Sequence, residues 1–177
     1  MRVNFGCGSV QPDGWVNVDN VDYGQAHVAD VLGGLPFETG TVDYIVANHS
    51  LSDLDHRQLG RALSELHRIL VAGGVLRILV PDLLAAFDAY QRNDRAWFPL
   101  GDDLPLIDER LCTFVGWFGT AKSQWTYGYA WRLLHDAGFI STEKAIAHLP
   151  TSLSPGGSEI ATLDDREVQA LIVEARK

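Results

Sequence analysis

Apolar and polar positions along the chain fall into two kinds of run. One kind is short and strand-like. Val3-Asn4-Phe5 is an apolar strand that ends in Gly6-Cys7-Gly8. Gln11-Pro12-Asp13-Gly14 predicts a turn, since proline presets one backbone angle and glycine permits the other. Trp15-Val16-Asn17-Val18-Asp19 alternates apolar and polar residues as a half-buried strand does, and His27-Val28-Ala29 before Asp30 is a weaker strand. Leu35 to Gly40 predicts a loop. Val42, Tyr44, Ile45, Val46 and Ala47 form a nearly continuous apolar strand, as expected in a sheet covered on both faces. Val75 to Val80 is a second such strand, stopped by Pro81-Asp82.

The other kind of run is helical. Leu59, Leu63, Leu66, Ile69 and Leu70 recur on one face, with Asp53 or Asp55 available as a cap and Gly73-Gly74 as the expected end. Residues 83–92 and Tyr127 to Ala137 predict two more helices, the latter closed by Gly138. Residues 93–124, with Pro99, Gly101, Pro105, Gly116 and Gly119, are expected to be irregular. Phe139 opens a strand running toward His148, Pro150 to Gly157 predicts a loop, and Val168 to Ala175 a last strand.

Strands alternating with helices imply an α/β fold built on a parallel-rich sheet. Such sheets bind ligands beyond the carboxyl ends of their strands. The polar residues expected there are Gly6, Gly8, Asp19, Asp30, Asn48, His49 and Asp82. Length changes this picture little, because 177 residues suit one domain over 1–177. Charge changes it more. A formal net charge of −9 disfavours a nucleic-acid partner, which calls for clustered cations. No apolar run approaches the roughly 20 residues of a membrane span, so no membrane partner is expected. Met1-Arg2-Val3-Asn4 lacks the apolar stretch of a signal peptide, and Cys7 and Cys112 cannot build a disulfide framework; both point to a cytoplasmic protein.

Gly6 and Gly8 let backbone approach a ligand closely, or merely form a turn. The dinucleotide fingerprint wants a third glycine where Gln11 stands, and Asp19 follows too soon for a full helix to precede it. The glycine-lysine-serine type of phosphate loop is absent, and no histidine or cysteine spacing suggests a metal. The site therefore suits a ligand without a pyrophosphate.

Val3-Asn4-Phe5-Gly6-Cys7-Gly8 followed by Gly14-Trp15-Val16-Asn17-Val18-Asp19 resembles the opening of the small class I S-adenosylmethionine-dependent methyltransferases, the methyltransferase type 11-like group. Ala29-Asp30, Leu35-Pro36-Phe37-Glu38 and Val42-Asp43-Tyr44-Ile45 fit the same pattern. So do Glu65 to Gly74, with Ala72 where proline is usual, and Val80-Pro81-Asp82-Leu83. The resemblance implies a Rossmann-like methyltransferase sandwich: a mostly parallel seven-stranded sheet with an antiparallel C-terminal strand and helices on both faces. It implies S-adenosyl-L-methionine as cofactor. Gly6, Cys7 and Gly8 would lie against its methionyl and ribose parts, their N–H groups receiving its carboxylate. Asp19 would accept both ribose hydroxyls, and Asp30 the adenine amino group with the Val31 or Leu32 amide nearby. Asn48 would face the methionine moiety. The plainer alternative for both aspartates is capping or solvating a turn.

Methyl transfer is an in-line displacement, helped by a base when the acceptor must lose a proton. His49, at the end of a core strand, is the candidate base; a hydrogen-bonded structural histidine is the alternative. Residues 97–131 hold more than half of the chain's Trp, Tyr and Phe. They could roof an acceptor pocket or fill a core of their own, and 93–131 is marked as a substrate-side insertion or lid. Leu51-Ser52-Asp53 and the absence of an acid at Gly128 depart from the family pattern, which leaves a non-catalytic binding module as the alternative function. A nicotinamide-dependent oxidoreductase is disfavoured by Gln11 and the early Asp19. The expected function is methyl transfer to a small-molecule or glycan acceptor. Because the chain starts inside its first strand, the site is expected to be covered by residues 93–131, by a second subunit of a homodimer, or left open.

Overall fold

A computed structural model describes residues 1–154 and 163–177. Seven strands form one sheet: β1 (Arg2–Phe5), β2 (Val16–Asp19), β3 (His27–Val28), β4 (Val42–Asn48), β5 (Leu70–Pro81), β6 (Ser141–Ala145) and β7 (Ala170–Arg176), in the order β3-β2-β1-β4-β5-β7-β6. β1 to β5 pair in parallel, and β7 runs antiparallel to both β5 and β6. The expected mostly parallel sheet with an antiparallel C-terminal strand is borne out. Order reverses between β1 and β4, so a crevice opens beyond the carboxyl ends of β1, β2 and β4.

Among the described residues four α-helices accompany it: α1 (His56–Ile69), α2 (Leu83–Gln91), α3 (Ile107–Gly116) and α4 (Tyr127–Asp136). α1 starts at Asp55, whose side chain accepts from the Arg57 N–H while Gln58 reaches back to the Asp55 N–H. Its apolar face, Leu59, Leu63, Leu66 and Ile69, is buried together with Ala130 and Leu134 of α4 against Ile45, Leu76, Ile78 and Val173 of the sheet. The opposite face carries a smaller cluster, Tyr44, Val46, Val75, Leu79 and Ile172, and its cover is uneven: Leu153, Leu163, Trp15 and Ala147 from loops pack there, and no helical residue does among the described residues. The reason is length. Residues 6–15, 20–26 and 29–41, which join the first four strands, contain no helix.

Three expectations need correction. α1 does not run to Gly73-Gly74; it stops at Ile69 and the chain enters β5 at once. The terminal carbonyls are satisfied from afar: Gly40 and Thr41 N–H groups donate to Arg68 and Ile69, and Lys177 Nζ donates to His67 (2.8 Å) and Leu70 (2.7 Å). Residues 93–124 are not irregular throughout, since α3 lies within them, packed through Phe114 against Ala86, Ala89 and Phe98. The strand expected from Phe139 toward His148 spans only Ser141–Ala145. The loop expected over Pro150 to Gly157 lies outside the described residues from position 155. Among the described residues, no helix is long and apolar enough to cross a membrane.

Candidate functional site

A cavity of about 760 Å³ occupies the crevice predicted by the strand order. Its wall combines Gly6 and Gly8 after β1, Asp19 at the end of β2, Asp30 with Val31 and Leu32 after β3, and Asn48 with His49 at the end of β4. Eight of the nine residues assigned from sequence to the cofactor or to catalysis are thus brought together. Cys7 is the exception. It is 5% exposed, it is not part of the cavity wall, and its Sγ rests 3.4 Å from the Gly8 carbonyl. Burial and the Asp19 charge push its thiol pKa up, so it stays protonated. Asp82 is also elsewhere, capping α2 through the Leu84 and Ala85 N–H groups.

The glycines act differently from each other. Gly6 has φ +69°, and a Cβ there would fall 2.1 Å from Ser50 Cβ. It is required by the close passage of Ser50, whose Oγ donates to the Phe5 carbonyl. Gly8 has φ +52°, with nothing within 4 Å of where a Cβ would stand. The expected gift of N–H groups to a ligand carboxylate does not hold. Gly6 and Cys7 N–H donate to the Val18 carbonyl (2.8 and 3.2 Å), and Gly8 N–H donates to Asp19 Oδ2 (2.9 Å). What this loop presents to the cavity is bare backbone.

Asp19 accepts a second bond, from Val21 N–H at Oδ1 (3.0 Å). Each carboxylate oxygen therefore keeps lone-pair capacity toward the cavity. Asp30 Oδ1 accepts from the Leu32 N–H (2.9 Å), which leaves Oδ2 and removes the Leu32 amide as a ligand donor. Gln11, where a third glycine would stand, ties the loop down by donating to the Tyr23 carbonyl (3.1 Å).

Asn48 Nδ2 donates to the Leu163 carbonyl (2.7 Å), and its Oδ1 is buried without a partner. His49 takes φ +53°; its Nε2 meets Asp165 Oδ1 at 2.9 Å, and its Nδ1 is likewise buried and unpartnered. A buried polar atom without a partner is uncommon and asks for a ligand or a function. Burial would raise the Asp165 carboxyl, but the His49 hydrogen bond and charge, Arg166 and Asn48 outweigh it and hold it below the ordinary aspartate range.

Sequence reasoning missed Ser50, Leu54, Gln58, Tyr23 and Lys122 in the wall. Asp53, read from sequence as a possible helix cap and as a departure, also lies there; burial pushes its carboxyl up, against the pull of Lys122. Of the aromatic stretch, Trp97, Phe98 and Phe114 pack with α2 and Trp125 enters the main core. From residues 93–131 the cavity receives Gly119, Thr120 and Lys122. No group of three or more His, Cys, Asp or Glu positioned to hold a metal occurs among the described residues.

These groups fit an adenosine-methionine ligand: a carboxylate for a diol, apolar Val31 and Leu54 beside Asp30, and an orphaned acceptor at Asn48 for an ammonium. Comparison with known proteins agrees. Residues 10–78 match the methyltransferase domain family. No curated protein matches by sequence. Among solved structures, a methyltransferase from Thermotoga maritima, described as a possible histamine N-methyltransferase, superposes with a TM-score of 0.62 at 16% identity, over 100% of this chain and 82% of that one. An S-adenosylmethionine-dependent methyltransferase from Archaeoglobus fulgidus gives 0.60 at 13% identity over 99% and 85%, and one from Methanosarcina mazei gives 0.57 at 16% over 99% and 91%. At these identities the superpositions establish the fold. With the family match over residues 10–78 inside that fold, the chain is similar to the class I S-adenosylmethionine-dependent methyltransferases, and the likeness supports S-adenosylmethionine as the cofactor of this cavity.

Proposed function

We propose that the chain methylates a small-molecule or glycan acceptor by in-line displacement in this cavity. The observation that carries the proposal is the convergence of Asp19, Asp30, Asn48 and His49 on one cavity, whose volume suits a cofactor together with part of an acceptor. When bound, the cofactor supplies an electrophilic sulfonium methyl: the acceptor atom bonds to its carbon while the carbon–sulfur electron pair leaves with sulfur.

The chain's own part is to bind and align. Asp19 offers one lone pair on each oxygen to the two ribose hydroxyls, held in place by the Gly8 and Val21 N–H groups. Asp30 Oδ2 accepts the adenine amino group, with the Val31 amide beside it. Asn48 Oδ1 accepts from the methionine ammonium. Gly6 and Gly8 permit close passage of the chain against that moiety. His49 is the candidate base for an acceptor that must lose a proton. Gly119, Thr120 and Lys122 form the acceptor side of the wall, as the contribution of the 93–131 insertion.

Calorimetry with S-adenosylmethionine and S-adenosylhomocysteine tests the reading. Binding of both is expected, and no heat and no thermal shift with either sinks it. Asp19→Asn, which keeps one acceptor, should weaken S-adenosylhomocysteine roughly tenfold, and Asp19→Ala more. An unchanged affinity in both variants rejects the ribose role. Turnover is then sought across hydroxyl-bearing small molecules and glycans.

A further inference from the structure

Five consecutive residues far along the chain each make a specific contact, two of them with Asn48 and His49 at the end of β4. The Leu163 carbonyl accepts from Asn48 Nδ2. Asp164 grips Arg77 bidentately at 2.9 and 2.5 Å, both side chains being fully buried. Asp165 meets His49 Nε2. The Arg166 guanidinium lies 4.0 Å from the centroid of the Trp117 ring, and that ring stands parallel to the His49 imidazole within 3°. Glu167 meets His148 Nε2 at 2.8 Å.

We propose that residues 163–167 are a positioning strap for the acceptor site, in which Asp165 holds His49 as the Nε2–H tautomer and thereby leaves Nδ1 as a base for a hydroxyl acceptor. This rests on the methyltransferase reading above and names the acceptor class. The tautomer follows from the partner, because an ionised carboxylate accepts only and Nε2 must then carry the proton. Nδ1 is left with a lone pair, buried and unpartnered in a residue that lines the cavity. When a hydroxyl oxygen bonds to the methyl carbon, its proton passes to Nδ1. The resulting imidazolium keeps its Nε2–H on Asp165, whose negative charge stabilises it. The stacked Trp117 ring fixes the imidazole plane. The buried Arg77–Asp164 pair sets the strap's position, since that pair tolerates little displacement. The other charged groups near His49 are Asp53, whose carboxyl responds to it, and Arg166, which also neighbours Asp165 at 3.7 Å.

Asp165 acts through His49, so its test must read His49 itself. Ring ¹⁵N spectra of the intact protein with S-adenosylhomocysteine bound, recorded where the imidazole is neutral, should show the Nε2–H tautomer. Asp165→Asn should mix the tautomers, and Asp165→Glu should restore the wild-type pattern. A second probe is sinefungin, which carries an amine where the sulfonium methyl stands. It should bind wild type about tenfold more tightly relative to S-adenosylhomocysteine than it binds His49→Phe, with Asp165→Asn between. Each ratio is taken against that variant's own S-adenosylhomocysteine affinity, so that a general loss of cavity integrity cancels. An Nδ1–H tautomer in wild type, an Asp165→Asn spectrum like wild type, or an unchanged sinefungin ratio overturns the proposal. Failure of S-adenosylhomocysteine to bind wild type would instead strike the methyltransferase reading.

Discussion

Gly6 and Gly8 look alike in sequence and carry different constraints in space. A methyl group at Gly6 meets Ser50 Cβ at 2.1 Å in a backbone conformation that already disfavours side chains. Gly6→Ala should therefore cost about 2–4 kcal/mol in denaturant unfolding. Gly8→Ala has open space and only the left-handed backbone against it, about 1–2 kcal/mol. Its new methyl stands at the cavity wall, so S-adenosylhomocysteine affinity should drop with little loss of fold. Calorimetry and denaturant melts on both variants separate the two roles. At this scale the sequence was legible where chemistry sits at the end of its own strand, as with Asp19 and Asn48. It was silent on Asp165, which lies 116 residues from His49 and carries no local mark. It also misjudged the N–H groups of Gly6 to Gly8, because their partners, the Val18 carbonyl and Asp19, come from the next strand.

The ends of elements were harder to read than the elements themselves. The apolar spacing of α1 was plain, but its end was not, because Lys177 and residues 40–41 cap it across the fold. α3 was hidden by Pro99, Pro105 and the glycines around it; burial of Phe114 against α2 holds it. Within the sheet, β5 and β7 carry an ion network that the strand pattern disguises as interruptions. Arg77 Nη1 donates to Glu174 Oε1 (2.9 Å), and Tyr44, Thr151 and Ser154 hydroxyls donate to the same carboxylate. Burial would raise the Glu174 carboxyl, but those bonds hold it below the ordinary glutamate range. A folded value below the unfolded one, about 4.3, means stability present above that pH and lost as pH falls through the folded value. Unfolding free energy should accordingly decline on acidification below about pH 5. Glu174→Gln should lose about 3–5 kcal/mol at neutral pH, because Arg77 keeps one partner in place of two, and its acid slope should be shallower. Urea titrations from pH 3 to 7 measure both effects.

Taken whole, the molecule divides its support unequally. The β5–β7 half rests on α1, α4 and the Arg77 network, whereas β1, β2 and β3 are short and are joined by connections without a helix. The strands themselves were legible because alternation along a strand survives in sequence, whereas their order in the sheet was not. The absence of helices at 6–15, 20–26 and 29–41 follows from their lengths, and it matters because these connections supply Gly6, Gly8, Asp30, Val31 and Leu32 to the cavity. Amide exchange of the free protein should then be non-uniform, with residues 2–32 opening well below the global free energy and Val75 to Val80 only with it. Saturating S-adenosylhomocysteine should slow exchange over 2–32 by tenfold or more and leave the β5 core nearly unchanged. Equal protection of both halves in the free protein would contradict this division. The loop-only crossovers thus give the nucleoside a second task. Its binding is expected to complete the packing of the first three strands, so that limited proteolysis of this half should slow as cofactor is added.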